Sequence, residues 1–293
     1  VTGNHTESEI DSQPELWRRA ARDGAGEVAA ALPRPGERVA VIGCGTSWFI
    51  AQSYAALREG AGLGETDAFA ASEFPSGRRY DRVLALSRSG TTTEVLEVLD
   101  RTDLPTVAIT ADPSTPVMTA ADEVIVLDYA DERSVVQTRF ATSQLVLLRA
   151  HLGENLDAAI ADAERALAEP LPEAALTAEQ FTFLGRGWTV GLAHEAALKM
   201  REAATAWTES YPAMEYRHGP IAITGPGRVA WMFGESPSGL TDQVAGVGGT
   251  MITSALDPLA DLVRVHRLAL HLARQAGYDP DTPRNLTRSV ILG

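Results

Sequence analysis

Short apolar runs alternate along the chain with longer stretches whose apolar positions recur every three or four residues. The runs Arg38–Ile42, Arg82–Leu86, Thr106–Thr110 and Glu123–Leu127 are rich in Val, Ile and Leu and read as strands, and Glu65–Ala70 reads as a weaker one. Ser47–Gly60, Thr92–Arg101 and Thr115–Ala120 lie between them and carry helical spacing. Ahead of the first strand, Gln13 to Leu32 place Leu16, Trp17 and Ala20 on one side of a helix that Pro33 and Pro35 end. Residues 1–12 are polar and acidic and read as a loose tail. Short apolar strands separated by helices predict an α/β fold with a parallel sheet covered on both faces.

Phe140–Leu167 reads as one long or bent helix, and Glu169-Pro-Leu-Pro172 is the best linker candidate. The pattern then starts again. Phe181-Thr-Phe-Leu-Gly-Arg-Gly-Trp188 repeats the plan of Val41-Ile-Gly-Cys-Gly-Thr-Ser-Trp48: apolar strand, Gly-x-Gly turn, helix. Arg228–Phe233 runs into Gly-Glu-Ser-Pro-Ser-Gly239 much as Val83–Leu86 runs into Ser-Arg-Ser-Gly90. The expectation is a duplicated α/β unit: a tail and helix over residues 1–35, one domain over 36–168 and a second over 169–293. The alternative is that any two α/β domains share such features.

The 293 residues suffice for about two domains. Acids outnumber bases 39 to 25, a formal charge of −14, and no basic segment offsets this. Nucleic acid is therefore a disfavoured partner, and an anionic ligand must be held by a local site against the global field. The single cysteine, Cys44, excludes an intrachain disulfide framework and a multi-cysteine zinc site. No apolar run reaches the roughly 18 residues of a membrane span, and the N-terminus lacks an export signal, so a soluble cytoplasmic protein is expected.

Two turns stand where a strand hands over to a helix, the edge at which open parallel sheets bind ligands. Gly43-Cys-Gly45-Thr-Ser47 lets backbone amides converge. Ser87-Arg-Ser-Gly90-Thr-Thr-Thr93 sets five hydroxyl residues around one glycine and one arginine, just before an amphipathic helix. Exposed N–H groups, the positive end of a helix dipole and hydroxyl donors together suit a phosphate. Ser and Thr are also ordinary helix caps, and for a single residue capping explains them better. Trp48 stands where a dinucleotide fingerprint wants glycine, and no G-x-x-x-x-G-K-[ST] occurs.

A different chemistry lies on the predicted helix Leu192–Trp207. Glu195, Lys199 and Glu202 fall at i, i+4 and i+7, one stripe of an alanine-rich helix. Such a stripe can be a solvated face with an ordinary Glu–Lys pair. Downstream, Tyr211-Pro-Ala-Met-Glu-Tyr-Arg-His218-Gly-Pro220 puts His218 on a turn, where an imidazole can act as general acid or base.

Together these segments resemble the SIS-domain (sugar isomerase) proteins. The chain is similar to the isomerase half of glutamine–fructose-6-phosphate aminotransferase and to stand-alone amino-sugar-phosphate deaminases and isomerases. The resemblance rests on CGTS at 44–47, SRSGTTTE at 87–94, LGRG at 184–187, HEAALKMRE at 194–202, EYRHGP at 215–220 and PRNLTRSV at 283–290. It implies two tandem SIS domains, each a doubly wound, mostly parallel sheet flanked by helices. It also implies that Ser47, Ser87, Arg88, Ser89 and Thr92 line a sugar-phosphate site, which Val135 approaches through its backbone. Glu202 would move a proton between C1 and C2, with Lys199 and Glu195 beside it. His218 would open the sugar ring from the neighbouring subunit of a homodimer with shared active sites. No metal, flavin or nicotinamide cofactor is required.

Two departures shape the expected activity. Only residues 1–35 precede the first domain, so a glutaminase domain with a nucleophilic cysteine is not expected. Arg288 stands where the aminotransferase offers an imine-forming lysine, and a guanidinium stays protonated and supplies no free amine. The expected function is a phosphosugar isomerase/deaminase acting on a hexosamine 6-phosphate. The alternatives are a plain aldose–ketose phosphosugar isomerase and a non-catalytic sugar-phosphate-binding regulator.

Overall fold

The computed structural model describes residues 3–75 and 77–292. Its strands form two separate parallel sheets, of five and four strands, flanked by helices. By contacts the chain divides into two compact units. One comprises Glu15–Arg133, Gln137–Leu156 and the C-terminal stretch from Thr287, and is here the five-stranded unit. The other comprises the N-terminal stretch to Pro14, Ser134–Val136 and Asp157–Leu286, and is the four-stranded unit.

In the five-stranded unit the elements in chain order are α2 (Gln13–Ala25, preceded by α1, Asn4–Asp11, of the other unit), β1 (Val39–Gly43), α3 (Thr46–Gly60), β2 (Thr66–Ala70), β3 (Arg82–Leu86), α4 (Thr93–Arg101), β4 (Thr106–Thr110), α5 (Val117–Ala120), β5 (Glu123–Val126) and α6 (Arg139–His151). The sheet order is β2-β1-β3-β4-β5, all parallel. β1, β3 and β4 are buried along their whole length, which is why they read as unbroken apolar runs. Ile42, Val83 and Ala108 of the sheet pack with Val95 and Leu99 of α4. The order reverses between β1 and β3, and the turns after these two strands are the hydroxyl-bearing ones.

The four-stranded unit adds α7 (Asp157–Ala168), α8 (Glu173–Leu176), β6 (Gln180–Gly185), α9 (Thr189–Ala204), β7 (Thr208–Pro212), β8 (Arg228–Met232), α10 (Leu240–Gly246), β9 (Thr250–Ile252) and α11 (Pro258–Gln275). Its order, β7-β6-β8-β9, repeats that of β2-β1-β3-β4. The corresponding turn is closed by its own side chain. The Thr189 hydroxyl accepts from the Arg186 amide and lies against the carbonyls of Arg186 and Phe233.

Three expectations change. The helix expected over Gln13 to Leu32 ends at Ala25, and Glu27–Ala31 form a separate 3-10 turn. Residues 4–11 are helical rather than a loose tail, because the Asp281 carboxylate accepts the amides of His5 and Thr6 and the Thr6 hydroxyl at the N-terminus of α1. Phe140–Leu167 is two helices. Gly153 takes a left-handed φ of 87°, its N–H bonds to Ala150 O, and the Glu154 N–H bonds to Arg149 O, which ends α6 before α7 begins. Among the described residues no helix is long and apolar enough to cross a membrane.

Candidate active site

The predicted phosphate residues gather at the carboxyl ends of β1 and β3, within the five-stranded unit. Ser47 is buried in the first turn of α3. Gly43 is required before it, since a Cβ there would meet the Ser47 side chain at 2.8 Å. In the second turn the Ser87 hydroxyl accepts the Gly90 amide at 3.2 Å. Gly90 has φ 61°, and a Cβ on it would meet the Thr115 hydroxyl at 2.1 Å. Ser89 and Thr92 stand 3.5 Å apart by their hydroxyl oxygens, and Thr92 is the N-cap position of α4. Burial, with the Glu94 charge second, raises the Cys44 thiol to about 11, so at neutral pH it is no nucleophile.

The C-terminal stretch returns to this turn. The Ser289 hydroxyl accepts from Ser89 at 3.2 Å and from Thr91 at 2.9 Å, and lies 3.5 Å from Thr92. The Thr93 amide donates to Val290 O, and the Leu292 amide donates to the Thr93 hydroxyl. Arg288 pairs with the Asp131 carboxylate and donates to Glu132 O. Sequence reasoning singled out Arg288 and passed over Ser289, its neighbour in the same PRNLTRSV segment.

Arg88, expected to line the sugar-phosphate site, is engaged elsewhere as well. Its guanidinium lies 3.3 Å from the Glu132 carboxylate, with both side chains buried, and also donates to Arg288 O at 3.4 Å. Glu132 accepts three further bonds, from the amides of Thr138 and Arg139 and the Thr138 hydroxyl. Sequence reasoning missed Glu132. The available signal was an acidic residue inside DERSVVQTRF, the segment that holds Val135.

In the four-stranded unit, α9 carries Glu195, Lys199 and Glu202 on one side, as the spacing required. The solvated-face reading fails. Glu195 is 0% and Lys199 1% exposed, whereas Glu202 retains 20% of its side-chain exposure. The ammonium lies 3.5 Å from Glu195 and is hydrogen-bonded to Glu202. A charge this deep has to be paired, and two carboxylates share one cation. On α11, His266 lies within electrostatic reach of the same ammonium; burial first, and the Lys199 charge second, push its pKa down to about 3. The ring is therefore neutral. Glu202 opens into a cavity of about 170 Å3 lined also by Thr205, Tyr278, Asp279, Thr282 and Arg284.

His218 ends a single 3-10 turn, Glu215–His218, and its ring is exposed. Val135 is half-buried, and its amide donates to Asp281 O at 3.1 Å.

Residues 34–152 match the family described as "SIS domain". The chain carries a SIS domain. Its relatives include the glutamine–fructose-6-phosphate aminotransferases of Gloeobacter violaceus (29% identical, 97% of this chain and 58% of that protein) and Thermus thermophilus (30% identical, 94% and 56%). The SIS-domain chain thus spans little more than half the length of these relatives. It shares its fold with glucosamine-6-phosphate deaminase of Thermotoga maritima, at TM-score 0.77 and 24% identity over 99% of this chain and all of that one. The tagatose-6-phosphate ketose/aldose isomerase of Escherichia coli matches at TM-score 0.74 and 17% identity, over 96% of each chain.

Proposed function

We propose that this SIS-domain protein is a phosphosugar isomerase/deaminase that acts on a hexosamine 6-phosphate by proton transfer between C1 and C2. The observation that carries the reading is the buried Lys199 bonded to a Glu202 that opens on a cavity. One carboxylate can take a proton from one carbon and return it to the next, and a fixed cation stabilises the charge developing on oxygen. In the open-chain sugar, Glu202 removes the C2 proton. The electron pair forms the C1–C2 double bond of an enolamine, and the carbonyl oxygen takes up a proton. Return of the proton to C1 leaves an iminium at C2, to which water adds, and ammonia departs from a ketose phosphate.

Ser47, Ser87, Ser89 and Thr92 bind the phosphate in this reading, with Arg88 placed by Glu132. Val135 approaches the sugar through its carbonyl, because its N–H is given to Asp281. Glu195 orients Lys199, and His218 opens the ring of a substrate bound to the partner in a homodimer. Arg288 is held by Asp131 and forms no imine. We assign the sheets within residues 36–168 and 169–293 to two tandem SIS domains, on the shared strand order, with α7 grouping with the second and the stretch from Thr287 with the first.

The test is a panel of hexose and hexosamine 6-phosphates, monitored for ketose formation and ammonia release. Ketose with stoichiometric ammonia from a hexosamine phosphate is the expected result. Ketose from hexose phosphates alone selects the plain isomerase. Glu202→Gln should lower turnover by about 10²–10⁴, the usual worth of a general base. A variant that keeps near-normal turnover removes Glu202 from the mechanism.

A further inference from the structure

We propose that α1 is a clamp that holds the Glu202 cavity in shape, with Glu9 and Asp281 as its positioning residues; the inference rests on the proton-transfer reading above. Three separate pieces of the four-stranded unit are tied to this one short helix.

The first is the turn that walls the cavity. Tyr278, Asp279, Thr282 and Arg284 line the space into which Glu202 opens. Inside that turn the Asp281 carboxylate accepts Thr6 N–H at 2.8 Å, the Thr6 hydroxyl at 2.7 Å and His5 N–H at 3.1 Å. Asp279 accepts the Gly3 amide at 2.9 Å. These acceptors satisfy the donors at the start of α1 and fix the turn in return. Burial raises the Asp281 carboxyl, but the bonds from Thr6 and His5 outweigh it and hold the group below its ordinary value.

The second piece is Ser134–Val136. Glu9, buried on α1, accepts the Ser134 amide at 3.3 Å and the Ser134 hydroxyl. The neighbouring Val135 amide donates to Asp281 O. The two positioning residues therefore grip this backbone from both sides. The third piece is α11, which packs against α9. Gln13, the first residue of α2 and part of the N-terminal stretch of this unit, is fully buried and sits with its amide nitrogen 3.4 Å from His266 Nδ1. The same amide donates to Ile10 O at 3.2 Å, so Gln13 links α11 to the end of α1.

Neither Glu9 nor Asp281 needs to touch a substrate. Their effect is on placement, and a misplacement of about 1 Å at a reacting centre can cost roughly 10²-fold in rate. Glu9→Ala removes both acceptors from Ser134. Glu9→Gln preserves the geometry without charge: its carbonyl accepts the Ser134 amide and its NH2 donates to the Ser134 oxygen, whose proton goes to Val136 O, already 2.9 Å away.

The experiment measures kcat, KM, affinity for inorganic phosphate and amide hydrogen exchange in wild type, Glu9→Ala, Glu9→Gln and Ser134→Ala. Circular dichroism checks the fold, and Ser134→Ala serves if Glu9→Ala does not fold. The expected result is a fall of about ten- to a hundred-fold in kcat for Glu9→Ala. Exchange should rise over Ser134–Val136, phosphate affinity should stay within about twofold, and Glu9→Gln should recover most of the rate. Unchanged exchange overturns the clamp. Raised exchange with unchanged kcat, or a Gln variant as impaired as the Ala variant, overturns the positioning role. If wild type turns over no sugar phosphate, the functional reading fails and the positioning role with it, while the exchange data still decide whether the clamp exists.

Discussion

Replacing Glu132 with glutamine removes the buried anion that faces Arg88 while keeping the shape of its side chain. One carboxylate oxygen accepts the Arg139 amide at 2.9 Å, the Thr138 hydroxyl at 3.0 Å and the Thr138 amide; the other lies 3.3 Å from the Arg88 guanidinium. A glutamine amide has one acceptor and one donor, so its NH2 must face either the guanidinium or the three donors. The pair is 0% and 1% exposed, so solvent offers little relief. Leaving one charge of a buried pair without its partner costs about 3–5 kcal/mol. For a domain of roughly 150–250 residues each kcal/mol lowers Tm by about 2–4 °C, a fall of roughly 6–20 °C in all. Urea unfolding of wild type, Glu132→Gln, Arg88→Gln and the double variant gives the cycle. The double variant should be less destabilised than the sum of the singles, by about 1–3 kcal/mol. Additivity within about 0.5 kcal/mol, or a Glu132→Gln cost below about 1 kcal/mol, would refute the argument that Arg88 is committed to Glu132.

Ser89→Ala with Thr92→Ala removes two hydroxyls from the loop and should weaken sugar-phosphate binding by at least about tenfold, since a hydrogen bond to a charged group contributes about 1.5–3 kcal/mol; calorimetry with the phosphorylated and unphosphorylated sugar is the check, and equal affinity for both in the wild type rules out a phosphate site. Co-refolding Glu202→Gln chains with His218→Ala chains should restore activity if His218 serves the partner's site, because one site of a mixed dimer then carries neither lesion; verified mixed dimers without activity exclude the shared site. His266 is held neutral with its pKa depressed to about 3, so the unfolded chain binds its proton first as pH falls below about 6.5, and this contribution to stability is complete above that pH and lost on acidification. Between about pH 6 and 4 the wild type should therefore lose up to about 1.4 kcal/mol more per pH unit than His266→Leu in urea unfolding; parallel slopes contradict the burial argument.

Much of the architecture is written in local pattern. β3 and β4 coincide with the apolar runs Arg82–Leu86 and Thr106–Thr110, because a strand buried on both faces has to be apolar throughout. The two turns after β1 and β3 show as Gly and hydroxyl clusters, since Gly43 and Gly90 leave no room for a Cβ. The stripe Glu195, Lys199, Glu202 follows from helical spacing alone. What spacing could not decide is which side of α9 faces water, and hence whether the stripe is an ordinary surface pair or a buried cluster. That depends on α11, which packs against α9 from far along the chain and brings His266 within electrostatic reach of Lys199. The same limit explains Ser289 and Glu132: each joins the Ser87–Thr93 region through contacts 44 to 200 residues apart in sequence, and such pairings have no local periodicity. It explains α1 as well. Its eight residues have few apolar positions and too short a span to be stable alone, and the helix exists because Asp281 supplies its cap and Glu9 a buried bond to Ser134. Local physics wrote the strands, the turns and the spacing of the stripe; only tertiary closure, which sets burial and long-range partners, decided which charges are paired and which backbone is held.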